Sequence, residues 1–234
     1  MAERACRSAD ASILRTHELT PARTLTRVER FVPLFPDWRS LCGSGGSLSS
    51  LLGALFSTPP WPLFKEKLNL KPPGGRGFAA HLDGPSLAAA GVGDGARMLT
   101  VMLAIDAMTR ENGCLQYAPG AWNPGNAAET EAPRGDDPDS DGRLGALTPE
   151  AEAALRWELL PCGAGGCYVF GGCVPHRSGG NGAAFARRAV FLTYSHPDGG
   201  DLREEYYGGM GRKREAFRRG KAGAEEDWLK SVPT

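Results

Sequence analysis

Apolar residues in this chain fall in short runs set apart by glycine and proline, and most runs carry the period of a strand. Residues 64–71 (FKEKLNLK) alternate apolar and polar, which puts Lys65, Lys67, Asn69 and Lys71 on one face of an extended segment. Residues 97–105 form a near-continuous apolar run, as a strand buried on both faces requires, and residues 188–194 form another. Residues 167–170 make a weaker fourth strand. The front of the chain reads differently. Residues 24–32 carry an amphipathic helical pattern that Pro33 would end, and residues 48–56 carry a second, with Ser47 placed to cap it. Residues 123–150 are polar, acidic and rich in Gly, Pro and Asp, the composition of a mobile surface loop inserted between strands. The basic stretch 212–221 reads as a solvated helix face, and no internal repeat is present.

Composition narrows the class. The 234 residues suffice for one sizeable domain, 41% of them are apolar, and 32 glycines with 18 prolines supply the turns of a mainly β fold. Twenty-seven basic residues balance 27 acidic ones, so no net charge argues for nucleic acid or an anionic membrane as partner. The longest apolar stretch, residues 98–105, is too short for a membrane span. Arginines in the first thirty residues suggest a transit peptide, but Glu3, Asp10 and Glu18 argue against one. The expectation is a soluble cytoplasmic protein. None of the six cysteines forms a CxxC pair; Cys162 and Cys167 resemble half of a zinc site, yet no matching Cys/His pair stands at a usable distance. Free thiols are expected.

Chemistry concentrates at two of the four histidines. His81 and Asp83 stand in FAAHLDGPS, after the turn PPGGRG, and in extended chain residues i and i+2 point the same way. His176 follows an apolar strand, in CVPHRSGGN. Two imidazoles and one carboxylate on one face of an octahedron form the facial triad of non-haem iron(II) oxygenases. Taken singly, each motif fits an ordinary hydrogen-bonded turn residue equally well. Ser178 follows His176 closely, and Arg187 opens the next apolar strand. A buried guanidinium there matches a dicarboxylate's distal carboxylate bidentately, with the hydroxyl as a second donor; a strand-edge arginine and a turn serine are the plainer alternatives. Asn112-Gly113, in RENG, is a hairpin signal and reads as structural.

Three blocks then carry a specific resemblance: LFKEKLNLKPPGGRGFAAHLD, LTVMLAIDAMTRENGCLQYAPGAW and VFGGCVPHRSGGNGAAFARRAVFLTY. In this order they resemble the phytanoyl-CoA dioxygenase family, with flanking similarity over roughly residues 25–215. The closing LTYSHPDGGDLREEYYGGMGRKREAF is similar to a bacterial and fungal subgroup that includes hydroxylases of aminoethylphosphonate-type substrates. The resemblance implies a single domain over residues 1–234 with a double-stranded β-helix, a cupin-like jelly roll with flanking helices. It implies iron(II) on His81, Asp83 and His176, with 2-oxoglutarate and dioxygen as co-substrates. Arg187 and Ser178 would hold the 5-carboxylate of 2-oxoglutarate, and Asn69 and Phe78 match positions that line it.

Lys65 and Lys67 share Asn69's face and either meet an anionic small-molecule substrate or are solvated edge-strand lysines. Related halogenases replace the carboxylate ligand with a small residue; Asp83 is intact, which favours hydroxylation of an aliphatic C–H. The chain departs from the family twice. The resemblance implies an extra helix and strand ahead of this segment, and a turn Gly-Asp is here Gly165-Gly166. Two rival readings accompany the hydroxylase: a jelly-roll binding module without turnover, and a zinc hydrolase built on the same ligands.

Overall fold

The computed structural model describes residues 1–17, 24–85, 97–120 and 145–208. Among the described residues ten strands build two sheets. The larger is antiparallel throughout, in the order β1 (Leu14–His17), β2 (Leu25–Glu29), β3 (Leu63–Lys71), β10 (Arg187–Ser195), β5 (Met98–Ala104), β8 (Cys167–Gly171). The smaller is β4 (Phe78–His81), β9 (His176–Ser178), β6 (Leu115–Tyr117), β7 (Glu158–Leu160). Two facing antiparallel sheets with short flanking helices form the jelly roll expected from the sequence. Among the described residues no helix is long and apolar enough to cross a membrane.

The alternation of β3 decides which face is which. Leu68 joins Val28, Val101, Val190, Leu192 and Tyr194 in the main apolar cluster on the outer face of the large sheet. The helices α1 (Ala2–Arg7), α2 (Pro36–Cys42) and α3 (Ser47–Phe56) cover that face through Ala5, Trp38, Cys42 and Leu52. The opposite face carries Lys65, Lys67, Asn69 and Lys71 and looks toward the small sheet. Glu66, on the outer face, is buried; its carboxylate accepts from Val32 N at 2.8 Å and from Arg203 Nη2 at 2.8 Å, which fastens the helical residues 203–208 to the sheet.

Tyr194 ties the sheet to α2, its hydroxyl donating to the Cys42 carbonyl at 2.8 Å. Tyr194→Phe keeps the ring and orphans that carbonyl, so about 1 kcal/mol of stability is lost. Urea denaturation will report it as a lower midpoint at unchanged slope.

The helix expected over residues 24–32 is not formed. Thr24, Thr26 and Val28 also fit a period of two, and the segment becomes β2, pairing Arg27 with Asn69, Val28 with Leu68 and Glu29 with Lys67. Leu68 and its neighbours need a partner strand there, and β-branched residues suit a pleated surface better than a helix. Pro33 lies in the first turn of a short 3-10 helix, Val32–Leu34, where its missing N–H costs nothing. The helix expected over residues 48–56 forms, but its N-cap is Gly46; Ser47 is the first helical residue and its side chain makes no cap.

Of the loop expected at 123–150, residues 123–144 lie outside the described residues, as does the stretch 212–221. Within residues 145–150, Leu82 N donates to Gly145 O at 2.8 Å, and α4 (Pro149–Ala154) begins with Thr148 capping Ala151 N at 3.1 Å. All six cysteines are free, as expected. The Asn-Gly turn forms as read: Asn112 is fully buried, its Oδ1 accepts from Thr109 N at 2.8 Å, and Gly113 takes φ +72°.

Candidate metal and co-substrate site

An open cleft lies between the two sheets. Pairing of β4 with β9 sets His81 directly opposite His176, and Asp83 follows where the chain leaves β4. Each imidazole is oriented by its own backbone. His81 Nδ1 is 2.8 Å from Ala79 O, and His176 Nδ1 is 2.9 Å from Val174 O. A ring nitrogen facing a carbonyl must carry the proton, so each Nε2 keeps its lone pair for a metal. His176 Nε2 stands 3.9 Å from Asp83 Oδ2, and one donor atom from each of His81, Asp83 and His176 lies within 4.8 Å of the others. Thr100 Oγ1 approaches Asp83 Oδ2 at 3.4 Å, and the Phe170 ring stands 4.9 Å from that of His176. Burial works against ionisation of Asp83, but the charges of His176, Lys65, Lys67 and His81 outweigh it and hold the carboxyl well below the usual carboxylate range. Exchange of the imidazolium protons that attract Asp83 for a metal leaves two neutral imidazoles and an ionised carboxylate, the donors iron(II) takes.

At the other end of the cleft Arg187 is 2% exposed. Its Nη2 donates to the Gly113 carbonyl, while Nε is buried with no hydrogen-bond partner. A buried guanidinium with an unused donor is the shape of a site that awaits an anion. Desolvation lowers its pKa to about 10, so it is cationic at neutral pH. Ser178 sits beside it, paired across the strands with Phe78 and with Leu115.

Behind Ser178 is Lys71, 3% exposed and opposite Arg187 in the sheet. Its ammonium donates to Ser178 Oγ at 3.0 Å, to Gly113 O at 3.3 Å and to Gly179 O. Three acceptors use all three of its donors. Because Ser178 Oγ accepts from Lys71, its own proton is left to donate elsewhere. Gly113 makes the arrangement feasible: at φ +72° a Cβ would lie 2.2 Å from Gly179 O.

Asn69, Phe78, Ser178, Arg187 and Lys67, all singled out by the sequence, line the cleft together with the triad. Lys65 shares their face but its ammonium stands over the Tyr206 ring, 5.5 Å from the centroid, away from the lining. Lys71, Arg27, Thr100 and Arg177 were not singled out. The alternation that exposed Asn69 applied equally to Lys71, whereas the helical reading of residues 24–32 hid Arg27. Arg177 stacks on Trp157 at 4.2 Å and bonds Glu152 at 2.6 Å, clasping α4 to the strand that bears His176.

A jelly roll whose cleft brings two imidazoles and one carboxylate together has the donor set of the facial-triad class of protein. The sequence model of the phytanoyl-CoA dioxygenase family (PhyH) matches residues 38–189. The chain is 36% identical over 201 residues to 2-aminoethylphosphonate dioxygenase of the uncultured bacterium HF130_AEPn_1, covering 85% of this chain and 68% of that one. It is 35% identical over 162 residues to methylphosphonate hydroxylase of Gimesia maris, covering 69% of this chain and 55% of that one. The chain thus spans between about half and two thirds of these relatives. Among solved structures, EctD from S. alaskensis with 2-oxoglutarate and 5-hydroxyectoine superposes with a TM-score of 0.63 at 20% identity, covering 85% of this chain and 66% of that one. The epimerase SnoN in complex with Fe3+, alpha ketoglutarate and nogalamycin RO gives 0.58 at 20% identity, covering 83% and 71%. At that identity the likeness shows the fold. The chain belongs to the phytanoyl-CoA dioxygenase family, that is, to the iron(II)- and 2-oxoglutarate-dependent oxygenases.

Proposed function

We propose that this chain is an iron(II)- and 2-oxoglutarate-dependent dioxygenase that hydroxylates an aliphatic C–H of a small anionic molecule, with phosphonates as the substrate class. The observation that carries the reading is the joint presence, in one cleft, of the oriented His81–Asp83–His176 triad and the buried, under-bonded Arg187. The two relatives named for phosphonate substrates support the substrate class.

Iron(II) held by the triad would couple loss of carbon dioxide from 2-oxoglutarate to insertion of one oxygen atom of dioxygen into a substrate C–H bond. The chain's own residues do the rest. Ala79 and Val174 carbonyls fix both imidazoles so that their Nε2 atoms converge with Asp83. Arg187 and the Ser178 hydroxyl bind the distal carboxylate of 2-oxoglutarate, and Lys71 aims that hydroxyl. Phe78, Leu115 and Phe191 give the cleft apolar wall between its two ends, where water is kept from the reacting centre. A substrate anion enters on the Lys67 side.

Succinate release tests the reading, using purified chain, iron(II), 2-oxoglutarate and a panel of 2-aminoethylphosphonate, methylphosphonate, amino acids and acyl-CoAs. Phosphonate-stimulated succinate is the expected result. A chain that binds iron(II) and 2-oxoglutarate anaerobically, with the weak visible band of their chelate, yet never releases succinate would be a binding module. Turnover with zinc and without dioxygen would make it a hydrolase.

A further inference from the structure

Lys67 lies mid-way along β3 on the face that looks into the cleft, with Glu29 of β2 opposite it on one side and Phe191 of β10 on the other. It is half-buried, lines the cleft, and its ammonium makes no hydrogen bond or ion pair with any described residue. A sequestered ammonium without a hydrogen-bond partner is costly, and the nearby Asp83 and Glu29 charges offset that cost only in part. Its pKa is accordingly held well below that of an exposed lysine, by Lys65 first and then by desolvation.

The second cation comes from β2. Arg27 pairs with Asn69 across the strands, and its Nε donates to Asn69 Oδ1 at 3.3 Å. That bond, the Phe78 ring 6.0 Å below the guanidinium and Glu29 Oε1 at 3.7 Å from Nη1 fix the plane of the group. Neither Nη1 nor Nη2 hydrogen-bonds a described residue. Arg27 therefore presents an oriented fork to the same cleft as Lys67. Glu29 offsets one of the two charges, and Lys65, next along the face, adds another.

We propose that Arg27 and Lys67 form a subsite for a tetrahedral oxyanion, the phosphonate or phosphate head of the substrate, distinct from Arg187 at the far end of the cleft. A planar fork and a point charge together reach the several oxygens of a tetrahedral head, whereas Arg187 with Ser178 suits a planar carboxylate. The pair deepens the hydroxylase reading and rests on it for turnover, although anion binding stands apart from turnover. Of the pair, Lys67 lies within the segment that the family match covers and Arg27, on β2, lies before it.

The test uses the full chain with iron(II) and 2-oxoglutarate under anaerobic and aerobic conditions. Methylphosphonate serves as substrate probe and inorganic phosphate as a turnover-independent ligand. Arg27→Met and Lys67→Met are each expected to raise the KM for methylphosphonate at least tenfold and to weaken phosphate binding equally. The Kd for 2-oxoglutarate stays at the wild-type value, which also shows that the variants are folded. Lys67→Arg restores phosphate binding in part. The proposal is overturned if phosphate binds wild type and both Met variants alike, or if 2-oxoglutarate affinity falls in step with it, which would place these residues in the co-substrate's site. A wild type that binds phosphate through Arg27 and Lys67 but releases no succinate would retain the subsite and remove the hydroxylase reading.

Discussion

Asp83→Ala abolishes iron(II) binding at micromolar metal and lowers succinate release more than about 100-fold, beyond the roughly 10–100-fold cost of losing an outer partner of a metal ligand. Asp83 is the sole carboxylate of the triad, and the His81 and His176 imidazoles alone leave a dication without charge neutralisation. The substitution also strips the counter-charge from a crowded neighbourhood, because the ionised state of Asp83 is held by His176, Lys65, Lys67 and His81 against the pull of burial. Repulsion among the remaining cations then opposes a metal further. Asp83→Glu preserves the charge but carries the oxygens one methylene further, toward Thr100 and its neighbour Thr193; it should keep measurable iron(II) affinity while losing most turnover. Equilibrium dialysis against iron(II) and the anaerobic visible band of the 2-oxoglutarate chelate read the two effects separately. Wild-type affinity in Asp83→Ala would remove the triad from the mechanism.

Much of this site was legible because its chemistry is written in local chain geometry. His81 and Asp83 stand two residues apart at the end of one short strand, whereas the pairing that opposes His81 to His176 is a long-range contact that the family resemblance, not alternation, implied. The face of β3 was legible from alternation: Leu68 and Leu70 must turn to the apolar cluster, so Lys67 and Asn69 must turn away. Where two periods fit one segment, pattern gave no decision. Thr26, Arg27 and Val28 satisfy a helix or a strand, and the need of β3 for a neighbour chose the strand. That single misreading concealed Arg27. The Lys71–Gly113–Arg187 arrangement was hidden for another reason, since its hub is a backbone carbonyl, which carries no identity in a sequence. Asn112-Gly113 was legible as a turn, but not as a turn whose carbonyl meets two cations. Arg177 sat unremarked between His176 and Ser178 because its partners, Gln116, Glu152 and Trp157, are all distant in the chain.

Arg187→Met raises the KM for 2-oxoglutarate by roughly 100-fold, about 2.7 kcal/mol, and Lys71→Met raises it about tenfold while removing its dependence on pH. Arg187 supplies the charge-assisted donors, with a buried Nε that only a ligand can satisfy, so its loss costs the larger part. Lys71 acts through Ser178, donating to its Oγ so that the hydroxyl proton faces the carboxylate. Burial first and the nearby Arg187 charge second bring the Lys71 pKa down from 10.5 to about 7. The sign follows from which state holds the proton. Between pH 7 and about 10.5 the unfolded chain keeps a proton that the folded chain has released, so ligand-free stability rises with pH across that window. Below about 7 the folded chain carries the buried charge and its full cost. A dicarboxylate beside Arg187 favours the protonated ammonium, so binding takes up a proton and affinity for 2-oxoglutarate falls as pH rises above 7. Lys71→Met abolishes both slopes, the rise of melting temperature and the fall of affinity, while Arg187→Met weakens binding at every pH. Titration calorimetry in buffers of different ionisation enthalpy counts the proton directly. An affinity that is flat from about pH 7 to 9 in the wild type, or a slope that survives in Lys71→Met, would show that Ser178 needs no charged partner behind it.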